Sequence, residues 1–137
     1  MKVYLDTSVI VRWMLDEPGA LKDWGRWEES FTSEITVVEA HRTLDRLRLD
    51  GRLDDSEVAR GVRLLGEVLN EVDAIGLNQP VLERASRSFP TVVGTLDALH
   101  LSSALLYREQ RKEGLVFLTH DRRLSIAAQA LGFETRG

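Results

Sequence analysis

Four carboxylates stand where surface acids do not belong. Asp6 closes the apolar run Val3-Tyr4-Leu5, and Asp121 comes just after the β-rich run Leu115-Val116-Phe117-Leu118-Thr119. Glu39 lies within Ile35-Thr36-Val37-Val38-Glu39-Ala40-His41, and Asp97 within Thr95-Leu96-Asp97-Ala98-Leu99-His100-Leu101. Taken singly, each has an ordinary explanation. Asp6 would cap a helix, Asp97 would answer a helix dipole, and Glu39 would mark the polar edge of an amphipathic helix. Taken together they call for another account, because carboxylates are rarely buried unless paired. Clustered acids repel until one holds a proton or a cation neutralises them. Oxygen ligands favour Mg²⁺ or Mn²⁺. Such an ion lowers the pKa of a water and stabilises charge on phosphate oxygens, which is the chemistry of phosphodiester hydrolysis.

The rest of the composition narrows the choice. No cysteine is present, so disulfides, thiolate nucleophiles and Cys-based zinc sites are excluded. That agrees with a reducing cytoplasm, the expected location. The three histidines, 41, 100 and 120, are too scattered for a His-rich metal site. A basic n-region followed by an apolar stretch is missing at the N-terminus, so no signal peptide is expected, and no apolar run is long enough to span a bilayer. The net charge is −4. With four of the 22 acids set aside on a metal, 18 remain against 18 basic residues. A strongly basic coat is therefore excluded, but a basic groove beside an acidic pocket is not.

The elements that must position the acids follow from hydropathy patterning. A chain of 137 residues fits one domain, 1–137. Lys2–Asp6 reads as the first strand and Ile10–Leu15 as a short helix ending at Glu17-Pro18-Gly19, a turn signal. Leu21–Glu29 reads as helical, with Trp24 and Trp27 on one face as packing residues. Ser30–Ser33 is a strand, and Ser33 is expected to cap a helix over Glu34–Leu49 with Val37, Ala40, Leu44 and Leu47 as its apolar stripe. Asp50-Gly51 stops it. Asp54-Asp55-Ser56-Glu57 starts the next helix, which carries Val58, Val62, Leu65 and Leu69. Val72–Leu77 is a strand, and Gln79–Ser88 is a helix with Pro80 in its first turn. Thr95 or a neighbour caps the helix that runs to about Lys112 and ends at Gly114. Leu115–Thr119 is a strand buried on both faces, Asp121–Leu131 is the last helix, and Gly132–Thr135 adds an edge strand. This alternation predicts an α/β fold with a central, mostly parallel sheet of four to five strands between helical layers. In such sheets, sites gather beyond the carboxyl ends of the strands, where Asp6 and Asp121 both lie.

Four stretches carry a resemblance to a known family. They are Val3-Tyr4-Leu5-Asp6-Thr7-Ser8, Thr36-Val37-Val38-Glu39-Ala40, Leu96-Asp97-Ala98-Leu99-His100-Leu101-Ser102-Ser103-Ala104 and Leu118-Thr119-His120-Asp121-Arg122-Arg123-Leu124. In order and spacing they resemble the four blocks of the PIN-domain nucleases, and within them the VapC toxins of toxin–antitoxin pairs. No one block is specific; the four in order, framing nearly the whole chain, are. The resemblance implies a three-layer α/β/α PIN fold and an endoribonuclease dependent on Mg²⁺ or Mn²⁺. Asp6, Glu39, Asp97 and Asp121 would be its metal-binding, catalytic acids, supported by Thr119, Thr7 and Ser8. It also implies an RNA substrate, often tRNA or ribosomal RNA, a small DNA-binding VapB-type antitoxin as partner, and a homodimer. A water would attack phosphorus, leaving 5′-phosphate and 3′-hydroxyl ends. His100 and His120 read as non-catalytic packing neighbours. Arg12, Arg42, Arg46, Arg122 and Arg123 lie near the acidic blocks, where a solvated face explains them as well as phosphate contact does.

Three rivals remain. A phosphotransfer fold with an aspartyl nucleophile, of haloacid-dehalogenase type, needs a second Asp two residues after Asp6; Ser8 stands there. A catalytically silent PIN module acting as a protein- or RNA-binding regulator is opposed by the presence of all four acids. A house-keeping PIN nuclease without an antitoxin has the same residues.

Overall fold

The computed structural model describes residues Met1–Gly137. Five strands run parallel: β1 (Lys2–Leu5), β2 (Glu29–Ser33), β3 (Asp73–Ile75), β4 (Val116–Leu118) and β5 (Glu134–Arg136). Their order across the sheet is β3-β2-β1-β4-β5. The first strand is thus central, paired with β2 through Tyr4↔Phe31 and with β4 through Leu5↔Leu118. Parallel strands need crossovers, and six helices supply them: α1 (Thr7–Met14), α2 (Ile35–Leu49), α3 (Asp55–Glu71), α4 (Gln79–Ala85), α5 (Thr95–Arg111) and α6 (Arg122–Ala130).

Strand alternation sorts the core into two halves. Val3, Leu5, Val116 and Leu118 face Val9, Ile10 and Met14 of α1, Ala40 and Leu44 of α2, and Leu65 and Val68 of α3. Tyr4, Phe31 and Phe117 face Leu101, Ala104 and Leu105 of α5 and Leu124, Ala127 and Ala128 of α6. Val3, Tyr4 and Leu5 are fully buried, as a central strand covered on both sides requires. The expected α/β/α layering with a four- to five-stranded sheet is what forms, and every strand pair is parallel.

The differences from expectation are local. The segment over residues 21–28 is a series of turns, not a helix. Gly25 there takes φ +77°, and glycine in a helix interior costs about 1 kcal/mol relative to alanine. The indoles stabilise the turns instead: Trp24 stacks on Trp13 of α1 at 4.4 Å between centroids, and Trp27 meets Trp24 edge-on at 5.3 Å. Helix α1 begins at Thr7, three residues early, because Asp6 caps it. The buried row of α2 is Thr36, Ala40 and Leu44, while Val37 is 40% exposed. Helix α3 likewise buries Gly61, Leu65 and Val68 and leaves Val62 outside. A Cβ on Gly61 would stand 2.9 Å from Leu44 Cδ2, so the glycine lets α2 and α3 approach closely. Gly94, the neighbour of Thr95, occupies the cap position of α5, and Lys112 at φ +54° ends that helix ahead of Gly114. Helix α4 ends at Ala85, β3 spans only Asp73–Ile75, and β5 begins at Glu134.

Candidate active site

The order of strands reverses at β1, whose successor in the chain lies on one side and β4 on the other. The carboxyl edge at such a reversal opens into a crevice. Asp6 leaves β1 there, still tied to the ladder by its backbone N–H donating to Leu118 O at 3.0 Å. Asp121 leaves β4 at the same edge, Glu39 comes from the second turn of α2 after β2, and Asp97 from the first turn of α5. All four acids line one cleft of about 400 Å³, together with Thr7, Ser8, Arg12, Arg46 and Arg52.

Three of the acids share one pattern: one oxygen is tethered and the other is left open. Asp6 Oδ2 accepts from Ser8 N at 3.3 Å, Ser8 Oγ at 2.5 Å and Thr119 Oγ1 at 2.9 Å. Its Oδ1 has only His100 Nε2 nearby, at 3.6 Å. Asp121 Oδ1 accepts from Arg123 N at 2.8 Å and Leu124 N at 3.0 Å, capping α6. Glu39 Oε1 accepts from Thr7 Oγ1 at 2.9 Å and meets His100 Nε2 at 2.5 Å. Asp97 makes no side-chain hydrogen bond and is half-buried. The three hydroxyls expected to support the acids each touch one, and Thr119 joins two of the acidic turns, since its Oγ1 also accepts from Asp121 N at 3.0 Å. Ser8 Oγ in turn accepts from His120 N at 3.1 Å.

The charges are unevenly balanced. Burial pushes the Asp97 carboxyl up, and the charges of Asp121, Asp6 and Glu39 push it further. Burial also pushes Glu39 up, but the hydrogen bond and charge of His100, with the Thr7 hydrogen bond, outweigh it and leave Glu39 below its usual range. For His100 burial pulls down, while the Glu39 hydrogen bond and the charges of Asp6, Glu39 and Asp97 carry it above the usual imidazole range. Each member of the pair thus favours the charged form of the other. Asp97 feels the negative potential of the other three acids, offset in part by His100.

No three of these acidic or imidazole groups draw close enough here to enclose one ion. The sequence led to an expectation of tighter convergence. Asp6, Glu39 and Asp121 each have one oxygen engaged in internal hydrogen bonds. The donor set nevertheless fits a hard cation: open carboxylate oxygens, neighbouring hydroxyls and no sulfur. Mg²⁺ is commonly held by one or two carboxylates with water completing its shell.

His100, read from sequence as a packing residue, is instead wired into the site. It is 1% exposed, with Nδ1 2.7 Å from Tyr4 OH and Nε2 shared between Glu39 and Thr7. Its i+3 relation to Asp97 on one helix face was the signal that could have found it. Thr36 was also missed. Its Oγ1 lies 3.1 Å from Thr7 Oγ1 and 2.8 Å from Thr32 Oγ1, and Thr32 donates to Leu5 O at 2.7 Å. His120 contributes its backbone N–H, while its buried Nε2 has no partner in the chain. Of the arginines, Arg12 and Arg46 line the cleft and Arg122 the groove beside it, whereas Arg42 pairs with Asp45 on the exposed side of α2.

Comparison with known proteins agrees with this geometry. The PIN domain profile matches residues 3–130. Ribonuclease VapC47 of Mycobacterium tuberculosis (strain CDC 1551 / Oshkosh) is 30% identical over 97% of this chain and 94% of its own. A chain in the crystal structure of VapBC2 from Rickettsia felis, bound to a DNA fragment from their promoter, superposes with TM-score 0.67 at 12% identity, covering 99% of this chain and 98% of its own. A chain of FitAB bound to an IR36 DNA fragment gives TM-score 0.65 at 17% identity over 98% and 93%. These two bear on the fold alone. The profile and the relative reach further, across all four acidic blocks and nearly every residue between them, and on that ground the chain belongs to the PIN domain family.

Proposed function

We propose that this protein is a Mg²⁺- or Mn²⁺-dependent endoribonuclease, the toxin of a type II toxin–antitoxin pair. It would act as a single PIN domain and a homodimer in the cytoplasm, held in check by a VapB-type antitoxin. The observation that carries the reading is the cleft itself: four acids from four separate elements, three of them tethered through one oxygen with the other open. Kinship with a VapC ribonuclease supports RNA as the substrate, and tRNA or ribosomal RNA is the class we propose. The likeness to chains from VapBC and FitAB assemblies supports an antitoxin partner. No helix of the chain is long and apolar enough to cross a membrane.

Asp6, Glu39, Asp97 and Asp121 would hold the ion. Bound there, it supplies the acidity that makes water a nucleophile near neutral pH and offsets charge on the phosphate oxygens. The protein's own residues set the geometry. Ser8 and Thr119 fix the rotation of the Asp6 carboxylate, so that Oδ1 remains open to the cleft. Thr7 and His100 do the same for Glu39. Thr119 keeps the turns bearing Asp6 and Asp121 at constant separation. Hydrolysis by water leaves 5′-phosphate and 3′-hydroxyl ends.

The test is to expose total cellular RNA to wild-type protein and to Asp6→Asn, with Mn²⁺ or with EDTA, and to map the cut ends. Asparagine is as good a cap as aspartate, so the variant keeps its fold. Cleavage should require Mn²⁺ and vanish in Asp6→Asn. Undiminished cutting by the variant, or ends carrying a 2′,3′-cyclic phosphate, would sink the proposal.

A further inference from the structure

On the cleft wall formed by α2, Glu39 stands at one end and arginines at the other. Glu39, Thr43, Arg46 and Leu47 all line the cleft, at positions i, i+4, i+7 and i+8 of one helix face. Seven residues of helix advance about 10 Å, so the wall passes from acid to base over that distance. Arg52 joins it for a local reason. Helix α2 ends in a Schellman turn, with Arg52 N donating to Leu47 O at 2.9 Å and Gly51 N to Arg48 O at 3.0 Å, Gly51 at φ +70°. That turn folds Arg52 back beside Leu47, where both line the cleft.

Arg46 and Arg52 differ from their neighbours in being uncommitted. Arg42 and Arg48 share Asp45, at 3.0 and 2.8 Å, whereas neither Arg46 nor Arg52 is in an ion pair with any acid of the chain. Free guanidinium groups present planar, paired donors suited to phosphate oxygens. A cleft with an acidic floor would otherwise repel a polyanion, and the chain as a whole is negative.

From this we infer that Arg46 and Arg52 form a phosphate-binding subsite for single-stranded RNA. It grips the backbone about 10 Å along the α2 axis from Glu39, beyond the phosphate that is cut. The inference rests on the nuclease reading for the identity of the polyanion, but its test does not depend on cleavage. A mixed-sequence, fluorescently labelled single-stranded RNA is titrated with wild-type protein, R46Q, R52Q, the double variant and R42Q. EDTA is present throughout, and KCl is stepped. Counterion release makes log K fall with log[salt], by about 0.7 in slope for each phosphate contact on a single strand. R46Q and R52Q should each flatten the slope by about 0.7 and the double variant by about 1.4, with R42Q matching wild type. Unchanged slopes in the double variant, or an equal change in R42Q, overturn the subsite. Cleavage of the same RNA in Mn²⁺ is scored separately: a wild type that binds with the expected slopes but never cuts overturns the nuclease reading and leaves the subsite standing.

Discussion

Asparagine and glutamine at position 100 separate two jobs that one imidazole performs. Nδ1 meets Tyr4 OH at 2.7 Å and Nε2 meets Glu39 Oε1 at 2.5 Å. The amide of asparagine overlies Nδ1 and that of glutamine reaches towards Nε2. His100→Asn therefore keeps the tyrosine and abandons the glutamate, and His100→Gln does the reverse. Either change strands one buried group. Losing a hydrogen bond to a charged partner costs about 1.5–3 kcal/mol, and leaving a buried hydroxyl unpaired costs about 1–3 kcal/mol. Both variants should thus lose a comparable few kcal/mol of stability. Metal affinity should not follow suit. Partners that orient a ligand commonly carry 10- to 100-fold in metal affinity, and only His100→Asn leaves Glu39 held by Thr7 alone. The expected outcome is Mn²⁺ binding weakened at least about tenfold in His100→Asn and by less than about threefold in His100→Gln. Denaturant melts would give the stabilities, and calorimetric Mn²⁺ titration of the folded proteins the affinities. Equal Mn²⁺ affinity in two equally destabilised variants would reduce His100 to a packing residue and refute the reasoning.

Two further predictions concern pH. His100, with its pKa raised, contributes stability that is fully present below about 6.5 and lost as pH rises through its folded value, while Glu39, with its pKa lowered, contributes stability present above about 4.5 and lost as pH falls through its folded value. Metal-free protein should therefore gain most from this pair between those limits and lose melting temperature above them; a His100→Gln profile with the same alkaline decline would count against the assignment. Mn²⁺ should release protons held by Asp97, whose raised carboxyl relaxes when a cation offsets Asp121, Asp6 and Glu39. Affinity should then rise with pH as the raised Asp97 carboxyl loses its proton, and titrations in buffers of different ionisation enthalpy should report the released protons; identical heats in both would contradict it.

What could be read in advance divides along physical lines. Strands β1 and β4 were legible because a parallel strand buried on both faces has to be continuously apolar, and their ends located two of the acids. The faces of α2 and α3 were misjudged for opposite reasons. Thr36 turns inward because Thr7 and Thr32 satisfy its hydroxyl, and hydrophobicity counting cannot anticipate a buried polar row. Gly61 turns inward because it has no side chain to clash with Leu44, and no apolar stripe includes a glycine. The residues near 24 misled because two tryptophans three apart mimic a helix, whereas Trp24 stacks on Trp13, eleven residues earlier and on another element. His100 was hidden by the same non-locality, since Tyr4 and Glu39 lie 96 and 61 residues away.

Asp6 and Asp121 cap helices with the same side chains that face the cleft. At these two positions one carboxylate oxygen holds the fold while the other would serve the proposed ion. An alanine at either cap removes about 0.5–2 kcal/mol of stability besides any ligand, so a lineage drifting towards inactivity is penalised before it arrives. Asp97, whose carboxylate holds nothing else in the chain, has no such guard. Under the proposed function, disarmed forms of this protein that must remain folded, whether arising in populations or chosen for the bench, have their cheapest route through that one residue.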